Sequence, residues 1–311
     1  MLVTANKSWL NEQMMAEEKD NSKQNVWSLQ RLPELTTAQF LKWQRLLEER
    51  IGISITPQRQ SFLQTNLGAR MREIGCQSYE EYYQRVNSGT EGIIEWSVLV
   101  DRLTVQETRF YRDLDSLDLV KDYILTRPVD ELKASPPELW SVGCSTGEEP
   151  YSLAMLMFEC MDLLKLQVYF GITGSDISKP ALEKAKKGLY PARKLVTLSE
   201  ELRDKYFTKQ EPGDQFAIAK SIKDRVCFAR INITELGNAP MHGMTIIYCQ
   251  NVLIYFRKWR RKEILSRLAE RLRPGGLLVL GQGEITEWEH PDLLRVKTDK
   301  ALAFIRKPDK N

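Results

Sequence analysis

Apolar residues recur at three- and four-residue steps over residues 35–103, the spacing that places them on one face of an α-helix. These positions are Phe40, Trp43, Leu46 and Leu47, followed by Phe62, Leu63, Leu67 and Met71. Thr56 precedes a first-turn proline as a capping residue, and Gly75 ends a helix. Ser78 and Glu81 form a capping-box pattern that opens the next helix. The pattern predicts a small all-α domain.

After the proline-containing stretch at 134–137, short apolar, β-prone runs alternate with amphipathic helices. This alternation is typical of βαβ units, which build a mostly parallel sheet. The predicted strands lie at 138–144, 168–176, 226–232, 244–250 and 277–281, followed by an antiparallel pair at 294–298 and 301–306. The predicted fold class is therefore α/β, with a Rossmann-like sheet that follows the N-terminal all-α domain.

An insertion at about 190–225, between the second and third predicted strands, is too long for an ordinary connection. Residues 198–207 have a helical pattern and residues 215–219 alternate like a hairpin strand, so the insertion is predicted to be a small subdomain. The predicted organisation is a flexible polar tail at 1–33, a helical domain at 34–103, a linking segment at 104–137 and the sheet domain at 138–311.

The composition, 42% hydrophobic and 28% charged in 311 residues, is typical of a globular protein with two cores. A net charge of +3 is too small to argue for nucleic-acid binding. No apolar run approaches the roughly 20 residues of a membrane span, and the start of the chain lacks the order of a signal peptide. The five cysteines are scattered without a CxxC pair, which indicates no disulfide framework and no metal site. We expect a cytoplasmic protein without direct membrane insertion.

A glycine-containing loop follows the first predicted strand, in the segment LWSVGCSTGEEPY at 139–151. Gly143 and Gly147 let the backbone turn tightly and approach a ligand at the sheet edge where doubly wound folds bind cofactors. The dinucleotide pattern GxGxxG is absent, and Glu148 and Glu149 would repel a pyrophosphate. The acids suit a cationic ligand such as S-adenosylmethionine, which has a sulfonium and an ammonium group. The alternative is a tight turn without a ligand.

Two further strand ends deliver polar groups to the same edge. Asp176 ends the second strand, where an acid can accept both ribose hydroxyls of an adenosine. A helix cap is the alternative, but Ser178 already occupies the capping position before a proline. Gln250 and Asn251 end the fourth strand, and Tyr255 follows as a site residue or, alternatively, a buried aromatic. The Asn/Asp-Pro-Pro-aromatic sequence of many amino-methylating enzymes is absent, which disfavours an amine substrate.

Three segments resemble those of the CheR-type chemotaxis-receptor glutamate O-methyltransferases. STGEEPYS at 145–152 resembles the family's cofactor loop almost letter for letter, and YCQNVLIYF at 248–256 resembles its CRNVxIYF block. TVQETRFYR at 104–112 is similar to its TxNxTxFFR segment before the catalytic domain. The resemblance runs from about residue 40 to residue 307. Gln106 stands where asparagine is usual, and Gln250 stands where arginine is usual.

The resemblance implies a set of site residues for S-adenosyl-L-methionine. The cofactor-binding residues would be Gln106, Thr108 and Arg112 from the linking segment and Glu148, Asp176, Asn232, Ile233, Gln250 and Asn251 from the sheet domain. Arg112 and Tyr255 would lie nearest the transferred methyl group as catalytic residues. The substrate would be glutamates in the cytoplasmic helical region of a methyl-accepting chemotaxis receptor. The insertion at about 190–225 resembles a subdomain that some family members dock on a receptor tail.

A glutamate nucleophile needs no general base, because a carboxyl with a pKa of about 4.3 is already ionised at neutral pH. His242 and His290 lie outside every motif and are expected at the surface. Arg112 is the candidate to orient the carboxylate by its charge and fork geometry, with an interdomain salt bridge as the alternative. Rival functions are methylation of another substrate and a non-catalytic, cofactor-binding signalling scaffold.

Basic residues are the candidates for substrate recognition. Residues 50–72 hold four arginines and no acid, and Arg59 and Arg70 are about three turns apart on one face, which would suit a glutamate-rich helix. A solvated surface is the alternative. The run at 257–273 is expected to be the solvated face of a packed helix, with RNA binding as the alternative.

Overall fold

The computed structural model describes residues 34–104, 107–298 and 301–309. The tail predicted at 1–33 and the predicted site residue Gln106 lie outside the described residues. The helical domain contains α1 (Thr37–Ile51), α2 (Gln60–Ile74), α3 (Tyr79–Asn87) and α4 (Gly89–Leu103). Their buried side chains form one core that includes Trp43, Leu47 and Leu63. The predicted all-α domain is confirmed.

Capping groups set where these helices begin and end. Gly75 ends α2 with a left-handed φ of 75°. The Ser78 hydroxyl accepts the backbone N–H of Glu81 at 3.1 Å at the start of α3. The reciprocal capping-box bond is replaced, because the Glu81 carboxylate accepts the N–H of Gln77 at 2.7 Å. The predicted first-turn proline begins a short 3₁₀ helix, Pro57–Arg59, rather than α2 itself.

The remainder of the described chain alternates strands and helices. The strands are β1 (Glu138–Val142), β2 (Gly171–Asp176), β3 (Leu189–Pro191), β4 (Phe207–Gln210), β5 (Gln215–Ile218), β6 (Val226–Arg230), β7 (Met244–Cys249), β8 (Leu272–Leu280), β9 (Leu293–Arg295) and β10 (Leu302–Arg306). The helices are α5 (Leu114–Leu125), α6 (Val129–Ala134), α7 (Glu148–Leu164), α8 (Lys179–Lys187), α9 (Glu200–Tyr206), α10 (Lys220–Lys223) and α11 (Lys258–Ala269).

Seven strands form the main sheet, in the order β6-β2-β1-β7-β8-β10-β9. The first five are parallel, and β10 pairs antiparallel with both β8 and β9. The Rossmann-like α/β fold is therefore confirmed. Strand β8 begins five residues earlier than predicted, because the helix expected over 257–273 ends at Ala269 and Leu272 pairs with Met244.

Helices cover both faces of this sheet because successive strand residues point to opposite sides. Leu139 packs on the face that buries α5 and α7, whereas Trp140 packs on the opposite face with Leu265 and Leu268 of α11. Within the described part of the chain, none of the helices is both long enough and apolar enough to cross a membrane.

The insertion forms its own small sheet beside the main one. Strands β3, β5 and β4 pair antiparallel in that spatial order, with α9 between β3 and β4. Tyr190, Leu195 and Phe207 of the insertion pack into the same core as α7. This shared apolar core attaches the subdomain to the sheet domain. The helix and the hairpin strand predicted within the insertion are present as α9 and β5.

Candidate active site

The loop between β1 and α7 turns through three residues with positive φ: 71° at Gly143, 49° at Ser145 and 94° at Gly147. A Cβ at Gly143 would lie 2.3 Å from the Val252 side chain, and one at Gly147 would lie 2.8 Å from the Cβ of Ala185. The left-handed backbone and the close packing both require glycine at these two positions. The turn carries Ser145 to the carboxyl edge of the sheet.

A first cavity lies at this edge, where the helical domain meets the sheet domain. Its apolar lining includes Ile51, Ile53, Ile177, Ile231, Val252 and Phe256. The cavity also brings together five of the predicted residues, namely Asp176, Asn232, Ile233, Asn251 and Tyr255. The backbone N–H of Ser54 donates to the carbonyl of Tyr255 at 2.8 Å, which joins the two domains beside this cavity.

Asp176 presents a partly buried carboxylate to the first cavity. Its Oδ1 accepts the N–H of Ser178 at 2.9 Å, and its Oδ2 accepts the N–H of Ser145 at 2.8 Å. Burial raises the pKa of Asp176, and these backbone N–H groups oppose the rise. Each oxygen keeps a lone pair for a further donor, such as a hydroxyl. Ser178 caps α8 through the N–H of Ala181 at 3.1 Å, as its sequence position predicts.

A second cavity adjoins the first and shares Gly143, Ser145, Asn251 and Tyr255 with it. It also brings together the predicted Thr108, Arg112 and Gln250. The guanidinium of Arg112 donates from Nη1 to the carbonyl of Glu107 at 2.9 Å. Among the residues that the structure describes, no carboxylate forms an ion pair with Arg112, so the alternative of an interdomain salt bridge is not observed there.

The two glutamates that open α7 have different partners. The Glu148 carboxylate forms an ion pair with Lys194 of the insertion at 2.9 Å and accepts the Thr146 hydroxyl at 2.6 Å. Glu148 is fully buried and lines neither cavity, whereas Glu149 lines the second. Of the two, only Glu149 lies on the wall of a cavity, and the cofactor-binding role predicted for Glu148 stays a prediction.

Glu149 is a partly buried carboxyl whose hydrogen-bond partner is a hydroxyl, not a cation. The Ser141 hydroxyl donates to its Oε1 at 2.7 Å. Burial raises the pKa of Glu149 to about 8, and the Ser141 hydrogen bond opposes this rise. Because an isolated anion is costly to bury, this carboxyl favours either a proton or a ligand cation.

The two polar residues that follow β7 differ in their contacts. The amide of Gln250 donates to the carboxylate of Asp113 at 2.9 Å and to the hydroxyl of Ser116 at 2.7 Å, which ties β7 to the start of α5. Asn251 has a left-handed φ of 60° and lines both cavities. The structure therefore gives Gln250 a bracing contact and places Asn251 at the junction of the cavities.

Asn232 and Ile233 follow β6 on the wall of the first cavity. The Oδ1 of Asn232 accepts the N–H of Thr234 at 3.1 Å, and its Nδ2 donates to the carbonyl of Arg50 at 3.2 Å. The first contact caps a short 3₁₀ helix, and the second bonds the sheet domain to the end of α1. Asn232 thus holds the cavity wall in place as well as lining it.

The predicted substrate-binding arginines lie in different surroundings. Arg70 in α2 forms ion pairs with Glu95 at 2.7 Å and Glu73 at 3.1 Å. These bonds compensate the buried Glu95 carboxylate, so Arg70 belongs to a network inside the helical domain. Arg59 lies before α2, in Pro57–Arg59, with its guanidinium 4.6 Å from the Phe62 ring centroid. Arg59 and Arg70 therefore differ in their partners, and their predicted shared role in binding the substrate stays a prediction.

The two histidines lie outside both cavities. His242 is exposed, as expected, and its Nε2 lies 3.2 Å from Nη1 of Arg271. His290 is only partly exposed, because its ring packs 5.9 Å from that of Trp288 between centroids. Neither imidazole is positioned to act as a base in the site.

Several lining residues were not singled out from the sequence. Ile51 and Ile53 have the pattern of ordinary core residues, so only the domain packing reveals them. Ser145 lies inside the quoted loop motif, and its buried hydroxyl has no hydrogen-bond partner among the described residues. An apolar slot, the Asp176 carboxylate, the Glu149 carboxyl and this unpaired hydroxyl fit a nucleoside that carries a positive charge.

Comparison with known proteins assigns both parts of the chain to one family. The all-alpha domain of the CheR methyltransferases matches residues 38–104, and their SAM binding domain matches residues 106–301. The chemotaxis protein methyltransferase Cher2 of Pseudomonas putida is 32% identical over 248 residues, which cover 79% of this chain and 89% of that protein. The chemotaxis protein methyltransferase of Escherichia coli is 28% identical over 272 residues, which cover 86% and 92%.

The site and these matches define a methyltransferase that uses S-adenosylmethionine. This chain belongs to the CheR methyltransferase family. The family membership inferred from the three sequence motifs is confirmed, and so are the enzyme class and the cofactor.

Proposed function

We propose that this protein methylates glutamate side chains in the cytoplasmic helical region of a chemotaxis-type receptor, working in the cytoplasm. Relatives of similar length are named chemotaxis protein methyltransferases. The observation that carries the proposal is the position of the Arg112 guanidinium, which shares the second cavity with Tyr255 and is not ion-paired among the described residues. A carboxylate that enters this cavity meets a fork of N–H donors.

The cofactor residues follow from the two cavities. The apolar first cavity suits the adenine ring, Asp176 suits the ribose hydroxyls, and Glu149 suits the ammonium group. When bound, S-adenosylmethionine supplies an electrophilic methyl group on sulfur. Further proposed contacts, carried over from the family motifs, are Gln106, Thr108, Arg112, Asn232, Ile233, Gln250 and Asn251. The family motif also assigns Glu148 to the cofactor, and the Glu148 carboxylate forms an ion pair with Lys194.

Catalysis in this site depends on orientation rather than on proton transfer. A glutamate nucleophile is ionised at neutral pH, and no histidine lies in the described lining of either cavity. Arg112 orients the carboxylate by charge and geometry. Burial raises the pKa of Tyr255, so its hydroxyl remains a hydrogen-bond donor beside the reacting groups. On the substrate side, Arg59 is the better candidate, because the Arg70 guanidinium already binds Glu95.

Receptor-containing membranes and radiolabelled S-adenosylmethionine test this proposal. The wild type should transfer label that mild base releases, because carboxyl esters hydrolyse under conditions that leave N-methyl groups intact. Arg112→Ala should lower kcat by roughly 100-fold or more, the usual loss when a charged transition-state contact is removed. Arg295→Ala, an exposed change on β9, is the matched control and should leave turnover unchanged. Base-stable label, or unchanged turnover in Arg112→Ala, would contradict the proposal.

A further inference from the structure

Residues 251–256, here called the site loop, connect β7 to α11 and serve both cavities. The loop places Asn251 and Tyr255 on both linings. Asn251 has a φ of 60°, a conformation that costs free energy for a residue other than glycine. The rest of the loop is a single 3₁₀ turn, Leu253–Tyr255. So short and strained a segment needs other parts of the fold to hold it.

Glu284 binds one backbone N–H group of the site loop and one beside it. Its Oε1 accepts the N–H of Leu253 at 2.9 Å, and its Oε2 accepts the N–H of Gly281, after β8, at 3.0 Å. Burial raises the pKa of Glu284, and the backbone N–H groups around its carboxylate oppose this rise. Glu284 is only 2% exposed. A buried carboxylate thus bonds the site loop to the residue that follows β8.

Arg261 binds the carbonyl groups of the same segment. From the first turn of α11, its Nε donates to the carbonyl of Phe256 at 2.8 Å, and its Nη2 donates to that of Ile254 at 3.3 Å. Its Nη1 donates to the backbone carbonyl of Glu284 at 2.7 Å. The Glu284 carboxylate therefore accepts an N–H group of the site loop, and the Arg261 guanidinium donates to carbonyl groups of the same loop. The two residues are also linked directly, because Arg261 donates to the backbone carbonyl of Glu284.

We propose that Glu284 and Arg261 are positioning residues for methyl transfer, which fix the site loop so that Asn251 and Tyr255 are held at the cavities before any ligand binds. Neither of the two lines either cavity, so they act through the loop. Preorganisation of this kind matters because small displacements of reacting groups cost large factors in rate. The role assigned to Tyr255 rests on the proposed function, whereas the bracing of the loop does not.

Glu284→Gln tests the first half of this pair. The amide keeps the size of the side chain but replaces one acceptor oxygen with a donor that faces a backbone N–H. Hydrogen exchange followed by mass spectrometry should be faster across residues 251–256 and unchanged in β7. With an established methyl acceptor, kcat should fall by about 10- to 100-fold. Glu289→Gln, at an exposed carboxylate on the same segment, should change neither quantity.

Arg261→Lys tests the second half, because a single ammonium group cannot bind three carbonyls in the way that a guanidinium does. The double variant should be only slightly less active than the less active of the two single variants. The effects of two substitutions that release the same loop are not additive. Unchanged exchange across 251–256 in Glu284→Gln, or fully additive losses, would overturn the proposal. The exchange measurement needs no methyl acceptor, so a wild type that fails to methylate receptors would reject the proposed function alone.

Discussion

Glu148 and Glu149 are neighbours on α7 in opposite electrostatic surroundings. Successive residues of an α-helix point about 100° apart, so one carboxylate meets Lys194 and the other meets the second cavity. The first is neutralised by an ion pair, and the second carries a pKa of about 8 because it is partly buried with a hydroxyl as its partner. Only Glu149 is therefore placed to exchange its proton for a ligand cation.

Binding of S-adenosylhomocysteine should release about one proton near pH 7. In the free protein Glu149 is mostly protonated at that pH, because its pKa is about 8. The ammonium group favours the carboxylate, so binding lowers this pKa and expels the proton. Affinity should accordingly rise as the pH increases toward 8. Calorimetric titration near pH 7 in buffers of different ionisation enthalpy measures the number of protons released.

Glu149→Gln and Glu148→Gln separate the two carboxyls in that experiment. Glu149→Gln should abolish proton release and weaken binding by about tenfold, or roughly 1.4 kcal/mol. Glu148→Gln should keep the proton release, since its carboxylate lies behind the loop. Release that persists in Glu149→Gln would show that another group binds the cation.

Single residues also show where sequence reasoning stops. The motif places two acids at the start of α7, and their negative charge alone indicates a cationic ligand. Which of the two acids faces a cavity depends on the orientation of the helix, which the motif does not give. Arg70 shows the same limit: its spacing from Arg59 suggests a basic face, yet Glu95, from α4, binds its guanidinium. Partners that are distant in the sequence decide both cases.

At the scale of elements, the insertion is joined to the cofactor loop by one side chain. Lys194 forms the ion pair with the buried Glu148 and also donates to the carbonyl of Thr108 in the linking segment. Three elements therefore meet at one ammonium group. The insertion was predictable from its length and its α9 and β5 patterns, but nothing in the sequence singles out Lys194, because a lysine in a connection usually lies in solvent.

Lys194→Met should lower the free energy of unfolding by about 2 to 3 kcal/mol, because it leaves the buried Glu148 carboxylate without its cation. Chemical denaturation measures this change. Adding Glu148→Gln should recover part of the loss by removing the unpaired charge. Lys209→Met, which breaks an exposed pair with Glu211, should cost less than about 1 kcal/mol. Equal losses in the two methionine variants would reject a special role for Lys194.

At the scale of the whole molecule, the first cavity exists only where the two domains meet. Periodicity predicts each domain separately, and the motifs predict the sheet side of the site. The helical side could not be predicted, because Ile51 and Ile53 follow the same apolar pattern as residues buried inside their own domain. Docking of α1 on the sheet domain, through Asn232 and Tyr255, is a property of shape rather than of local sequence.

Gly52 allows a direct test of that docking, and Gly75 provides a matched control. Both end a helix with positive φ, 72° and 75°. A Cβ at Gly52 would lie 2.6 Å from Thr234 Cγ2 and 3.0 Å from the Phe256 ring, whereas one at Gly75 would meet nothing within 4 Å.

Alanine at either glycine should cost about 1 to 2 kcal/mol of stability through left-handed strain. Only Gly52→Ala should also push α1 away from the first cavity, weakening S-adenosylhomocysteine binding by roughly tenfold in calorimetric titration. If both variants bound the nucleoside as the wild type does, the helical domain would contribute no binding energy, and the cofactor would be held by the sheet domain alone.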